Sequence, residues 1–204
     1  YPPKVQKKSV VILNPLDTSA FPTHDFSNEK KEIVSVGRLE TQKNQKLLID
    51  AFSLIADEFP DYNLVIFGEG SLRGELESHI EQLNLQERVL LPGAKERIQD
   101  YIKDASLFVL SSDYEGIPNA LIEAMAIGLP CVSTDCSPGG ARELIESGEN
   151  GLIVECGNPK MLANAVKSLM VKKGQSKQMG IQARSIRNRV DKYQIADRWL
   201  DTIH

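Results

Sequence analysis

Short apolar runs recur along the chain, each followed by a polar, glycine-bearing loop and then by a segment with helical spacing. The runs are VVIL (10–13), IVSV (33–36), NLVIF (63–67), RVLL (88–91), LFVL (107–110), PCVST (130–134) and GLIV (151–154). Most are continuously apolar rather than alternating, which predicts strands covered on both faces in a parallel sheet. Between them the spacing predicts helices from about Asn44 to Glu58, Ser71 to Leu83, Glu96 to Lys103, Pro118 to Ile127, Gly140 to Glu146 and Pro159 to Val171. Such alternation is that of an α/β, Rossmann-like, doubly wound parallel sheet. After Lys172 the strands stop, and a polar helical tail carries the single Trp199.

In such a sheet, ligands bind beyond the carboxyl ends of the strands. The loops that matter are GRLETQKN (37–44), GEGSLRG (68–74), PGAKE (92–96), SSDYEGIPN (111–119) and DCSPGGARE (135–143). In the first, Gly37 ends a strand, and Arg38 and Lys43 lead into a helix. Cations are unfavourable at a helix start unless an anion joins them, and with exposed N–H groups they make a diphosphate cradle. Solvated surface lysines, with Glu40 offsetting Arg38, are the alternative.

The segment EGIPNALIEAMAIGLP (115–130) places a carboxylate, Glu123, inside an otherwise apolar helix and another, Glu115, ahead of it. Pro118 suits the first helical position, and Gly128 followed by Pro130 ends the helix. Asn119, Ala120, Ala126 and Ile127 share the Glu123 face, so the carboxylate can accept from vicinal hydroxyls such as those of a ribose. The plainer alternative leaves Glu123 on an exposed face and Glu115 capping a loop. The GEGSLRG loop reads GxGxxxG, a relative of the dinucleotide fingerprint. Glu69 would oppose a pyrophosphate, and no acid ends the next strand. A tight strand-to-helix turn lining a cleft explains it better. Gly139 and Gly140 either admit a phosphate or sugar or form a plain loop.

Composition narrows the partners. The 204 residues are 41% hydrophobic and 25% charged with net charge −4, ordinary for a globular protein and without the basic stripe of a nucleic-acid binder. No apolar run approaches the ~18 residues of a membrane span, and no signal-peptide pattern is evident. Cys131, Cys136 and Cys156 are widely spaced and read as reduced thiols of a cytosolic protein. With His24, His79 and His204 isolated, no metal site is expected. The chain opens at Tyr1 rather than a methionine and is expected to be a piece of something longer.

Taken in order, VGRLETQKN (36–44), FGEGSLRGELE (67–77), the Glu-x7-Glu stretch EGIPNALIEAMAIGLPCVST (115–134) and DCSPGGARELIESGENGLIV (135–154) resemble the C-terminal, donor-binding domain of family 4 retaining glycosyltransferases with the GT-B fold. The resemblance covers roughly residues 9–204. It implies that residues 1–18 hold the interdomain crossing segment and first strand. Residues 19–188 form the nucleotide-sugar-binding domain, and 189–204 the crossover helix returning to a first domain that the chain lacks.

By position, the resemblance makes Glu115, Arg38 and Lys43 the catalytic set: Arg38 and Lys43 contact the donor diphosphate, and Glu115 holds the sugar. The amides of Gly116, Ile117, Asn119 and Ala120 lie nearby. Glu123 holds the ribose hydroxyls, Gly37 and Gly68 line the site, and Gly93 and Ala94 approach the base. The implied reaction moves a hexosyl or N-acetylhexosaminyl group from a nucleotide sugar, with UDP expected from SPGGARELI, to a glycan or lipid-linked acceptor in surface polysaccharide synthesis. It needs no cofactor or metal. The acceptor would bind through the missing domain, and the protein would be cytoplasmic, or peripheral at the inner face of the membrane. A sugar-nucleotide epimerase of the same fold would need cleft histidines, and a non-catalytic nucleotide-binding module would have lost Glu115, Arg38 and Lys43. A nicotinamide dehydrogenase is disfavoured by the GEGSLRG loop.

Overall fold

The computed structural model describes residues 11–203. Its centre is a six-stranded parallel sheet. In chain order the strands are β1 (Lys30–Val36), β2 (Asn63–Phe67), β3 (Val89–Leu90), β4 (Ala105–Leu110), β5 (Cys131–Thr134) and β6 (Leu152–Val154), and the spatial order is β3-β2-β1-β4-β5-β6. The helices are α1 (Gln45–Ser53), α2 (Arg73–Gln82), α3 (Ile98–Ile102), α4 (Asn119–Ile127), α5 (Gly140–Leu144), α6 (Pro159–Val171), α7 (Lys173–Ala183), α8 (Ile186–Val190) and α9 (Lys192–Ile203).

The inner strands carry continuous apolar stretches because they supply two cores. Ile33, Leu64, Ile66, Leu107 and Val109 point to the face covered by α1, α2 and α6. Their neighbours Val34, Val65, Phe67, Phe108 and Leu110 point to the face covered by α3, α4, α5 and α8. The buried positions of α1 (Leu47, Leu48, Ile49, Ala51 and Phe52) recur at the spacing of one helical face.

Three expectations change. The VVIL run does not form a strand over its described residues 11–13, and residue 10 lies outside them. Leu13 is buried against the second core instead, so packing rather than pairing explains the apolar run. Leu16 donates its N–H to Val190 O at 2.8 Å, tying the segment before β1 to the end of α8. Pro118 sits one place outside α4, extended at φ −77°, while its carbonyl accepts from Leu121 and Ile122 at 3.1 and 3.2 Å. The helices predicted over 44–58 and 96–103 shorten to α1 and α3, the latter beginning after Arg97 at φ +49°. Gly128 ends α4 at φ +96° as expected, because a left-handed residue there lets the last carbonyls be satisfied.

Among the described residues no helix is long and apolar enough to cross a membrane. On α9 the side chains of Tyr193, Trp199 and Leu200 are exposed.

Candidate active site

Because β1 and β4 are neighbours, the chain winds outward from them in both directions, and the loops after these strands face each other where the order reverses. Open α/β sheets bind ligands at this point. A polar ladder joins the two loops. Asp113 donates its N–H to Gln42 O at 2.9 Å, and Gln42 Nε2 donates to Tyr114 O at 2.7 Å. Ser111 Oγ donates to Lys43 O at 2.9 Å. Asn44, left-handed at φ +43°, caps α1 through Leu47 N and donates Nδ2 to Asp113. Lys43 Nζ completes the ladder on Glu115 Oε1, an oxygen that also accepts from Ser112 Oγ at 2.8 Å.

The Lys43 stem lies over the end of β1. A Cβ on Gly37 would stand 3.3 Å from Lys43 Cδ and Cε, so the missing side chain makes room for it. Both members of the pair are largely desolvated, Lys43 at 18% and Glu115 at 7% side-chain exposure. Glu115 is therefore no loop cap in solvent.

Arg38 is exposed at the rim of a cleft of about 320 Å³, whose lining includes Gly37, Gly68, Ala94 and Lys95. Its carbonyl is held by the buried Gln45, whose Nε2 donates at 2.7 Å, while Gln45 Oε1 finds no donor among the described residues. The glycines of GEGSLRG have a packing role. A Cβ on Gly68 would overlap the Gly37 carbonyl, and one on Gly70 would stand 2.7 Å from Leu39 N. Glu69 is held by Arg73 at 3.1 Å. Gly93, at φ +82°, accepts on its carbonyl from the Gly68 N–H at 3.1 Å, which holds the loop after β3 against the end of β2.

On the β4 side, a Cβ on Gly140 would fall on the Gly116 carbonyl oxygen, so this glycine lets the loops after β4 and β5 touch. The Glu115 N–H donates to Ser137 O at 2.9 Å. No described residue accepts from the N–H groups of Gly116 and Ile117 in the loop, or of Asn119 and Ala120, donors that the start of α4 leaves open. Glu123 lies half-buried just beyond them, and burial raises its carboxyl from the ordinary value. The stripe predicted around it is only partly open. Asn119 and Ala120 are accessible, whereas Ala126 and Ile127 are fully buried in the second core.

A larger crevice of about 750 Å³ lies along β6, lined by Asp135, Arg142, Ser147, Glu155 and Cys156 among others, but there Arg142 is already paired with Asp135. The histidines lie away from the switch point: His24 is buried on Lys103 O at 2.6 Å, and His79 contacts Asp50 at 2.6 Å. His204 is outside the described residues. Among the described residues no cluster of His, Cys, Asp and Glu could hold a metal. Residues that patterning did not single out are Ser111, Ser112, Gln42, Asn44 and Gln45, although Gln42 and Asn44 flank Lys43 directly in sequence.

The profile described as "Glycosyl transferases group 1" matches residues 17–186. The chain belongs to this glycosyltransferase family. A Campylobacter jejuni relative, N-acetylgalactosamine-N,N'-diacetylbacillosaminyl-diphospho-undecaprenol 4-alpha-N-acetylgalactosaminyltransferase, is 37% identical over 80% of this chain and 45% of its own length. The Escherichia coli UDP-Gal:alpha-D-GlcNAc-diphosphoundecaprenol alpha-1,3-galactosyltransferase is 32% identical over 76% of this chain and 39% of its own. Among solved structures, S. aureus TarM in complex with Fondaparinux, alpha-GlcNAc-glycerol and UDP superposes with TM-score 0.79 at 28% identity. That match covers 95% of this chain and 38% of TarM. The fold is that of the C-terminal domain of a GT-B protein, and the chain spans less than half the length of these relatives.

Proposed function

We propose that this chain is the donor-binding half of a retaining glycosyltransferase. It would take a nucleotide diphosphate sugar, with UDP as the nucleotide, and pass a hexosyl or N-acetylhexosaminyl group to a glycan or lipid-linked acceptor. Two named relatives act on diphospho-undecaprenol substrates, and TarM was solved with UDP, which supports the donor and acceptor classes. The observation that carries the reading is the Lys43–Glu115 contact across the switch point, beside the open amides of the α4 start. Lys43 and Arg38 receive the diphosphate, and the helix start adds its partial positive charge. Glu115 holds the sugar, and Glu123 accepts from the ribose hydroxyls. The two cations neutralise the departing nucleotide, so no divalent ion is required.

Calorimetry with UDP, GDP and ADP in a chelating buffer tests this. UDP binds the native chain most tightly, and Lys43→Ala and Glu123→Ala each weaken it at least ~10-fold, the size of one charge-assisted hydrogen bond. Binding untouched by both substitutions removes the site.

A further inference from the structure

The two groups assigned to neighbouring parts of the donor, its diphosphate and its sugar, are in this structure bonded to each other. We infer that the Lys43–Glu115 pair is a latch: the diphosphate takes Lys43 away from Glu115, and only then is Glu115 released to receive the sugar. The inference rests on the donor-binding reading above and adds an order of events to it.

The latch can move only at its tip. The Lys43 N–H donates to Glu40 O at 2.9 Å, and its carbonyl accepts from Ser111 Oγ at 2.9 Å, so the backbone is held on both sides. The stem lies in the space that Gly37 leaves open. What remains free is rotation about the last side-chain bonds, which carries the ammonium between Glu115 and the open amides of Gly116, Ile117, Asn119 and Ala120. Glu115 does not follow, because Ser112 Oγ holds the same Oε1 at 2.8 Å and Ser137 O holds its N–H at 2.9 Å. The two anions therefore compete for one desolvated ammonium, and removing a partner from such a pair leaves an uncompensated charge.

The consequence runs against the usual expectation for a binding residue: losing Glu115 tightens diphosphate binding. UDP and metal-free inorganic pyrophosphate are the probes, titrated against the native chain, Glu115→Gln, Glu115→Ala, Lys43→Met and Lys43→Met/Glu115→Gln, each first checked for a native-like melting transition. Glu115→Gln binds both probes about tenfold more tightly, the equivalent of one charge-assisted hydrogen bond no longer competed for. The gain vanishes in the Lys43→Met background, because the cycle isolates the term that passes through Lys43. Glu115→Ala reproduces the gain if the amide substitution alters folding.

An equal gain in both backgrounds means that Glu115 merely repels the diphosphate, and it overturns the latch. So does unchanged or weaker binding by both Glu115 variants. If Lys43→Met leaves UDP and pyrophosphate binding unaltered, the donor-site reading itself fails. The two failures are thus told apart.

Discussion

Gly140→Ala places one methyl group where the loops after β4 and β5 touch, against the backbone of Gly116 in the proposed donor site. Its Cβ would coincide with the Gly116 carbonyl oxygen and stand 3.2 Å from Pro118 Cδ. Neither obstacle is the free end of a flexible side chain, so the loops must part by roughly an ångström or more. Overpacking of this kind costs ~1–3 kcal/mol. In a domain of this size each kcal/mol is worth ~2–4 °C, so the melting temperature falls by ~2–12 °C. The displaced segment contains Gly116 and carries the α4 start, and a misplacement of ~1 Å at a site can cost ~100-fold in function. Gly74→Ala is the control. Gly74 is exposed on α2, and an added methyl would meet nothing within 4 Å, so alanine there is stabilising by ~0.5–1 kcal/mol. Differential scanning calorimetry and UDP titration of both variants decide the matter. A Gly140→Ala protein that melts and binds like the native chain refutes the argument that this glycine sets the loop contact.

Burial raises the Glu123 carboxyl, so its charged form is the costly one in the folded state. The native state then holds its proton more tightly than the unfolded chain. This contribution favours folding at low pH and is lost as pH rises through the raised value. Glu123→Gln therefore raises the melting temperature at pH 7.5, and the gain shrinks to nothing in acid; a pH-independent difference contradicts this. Arg187 donates to Ala126 O at 2.6 Å and Pro22 O at 2.8 Å, joining the end of α4 to the segment before β1. Its replacement by Met strands buried carbonyls and costs ~2–4 kcal/mol in urea unfolding, and a loss below ~1 kcal/mol would show these bonds to be replaceable by water. Burial pushes the Cys136 thiol up to about 11 and drives Cys131 higher still, while Cys156 is only partly buried. Iodoacetamide at pH 8 labels Cys156 first in the folded chain, as mass spectrometry of timed digests will report, because only thiolate reacts.

Much of this was legible in the residues. The continuous apolar runs announced a doubly covered parallel sheet, and six of the seven appear as strands, the inner ones supplying both cores. The VVIL run misled because Leu13 is buried by packing alone, and apolarity does not separate a paired segment from a docked one. The loops of interest followed from where strands end, and Lys43 does meet Glu115. What patterning could not supply was the support around them. Ser112 and Gln42 are small or polar residues in polar loops, and their value lies in distances that only the crossing of β1 and β4 creates. The same applies to the glycines. GxGxxxG read better as a tight turn than as a dinucleotide fingerprint, and Gly68 and Gly70 are there because another loop's backbone passes against them. Half of the face predicted around Glu123 belongs to the core, because Ala126 and Ile127 pack inward while Asn119 and Ala120 stay accessible.

The most direct measurement is a crystal structure of this chain grown with UDP. The account predicts the diphosphate between Lys43, Arg38 and the first amides of α4, with the ribose hydroxyls on Glu123. Nucleotide density in the crevice along β6 beside Arg142, with Lys43 and Glu123 untouched, would contradict it.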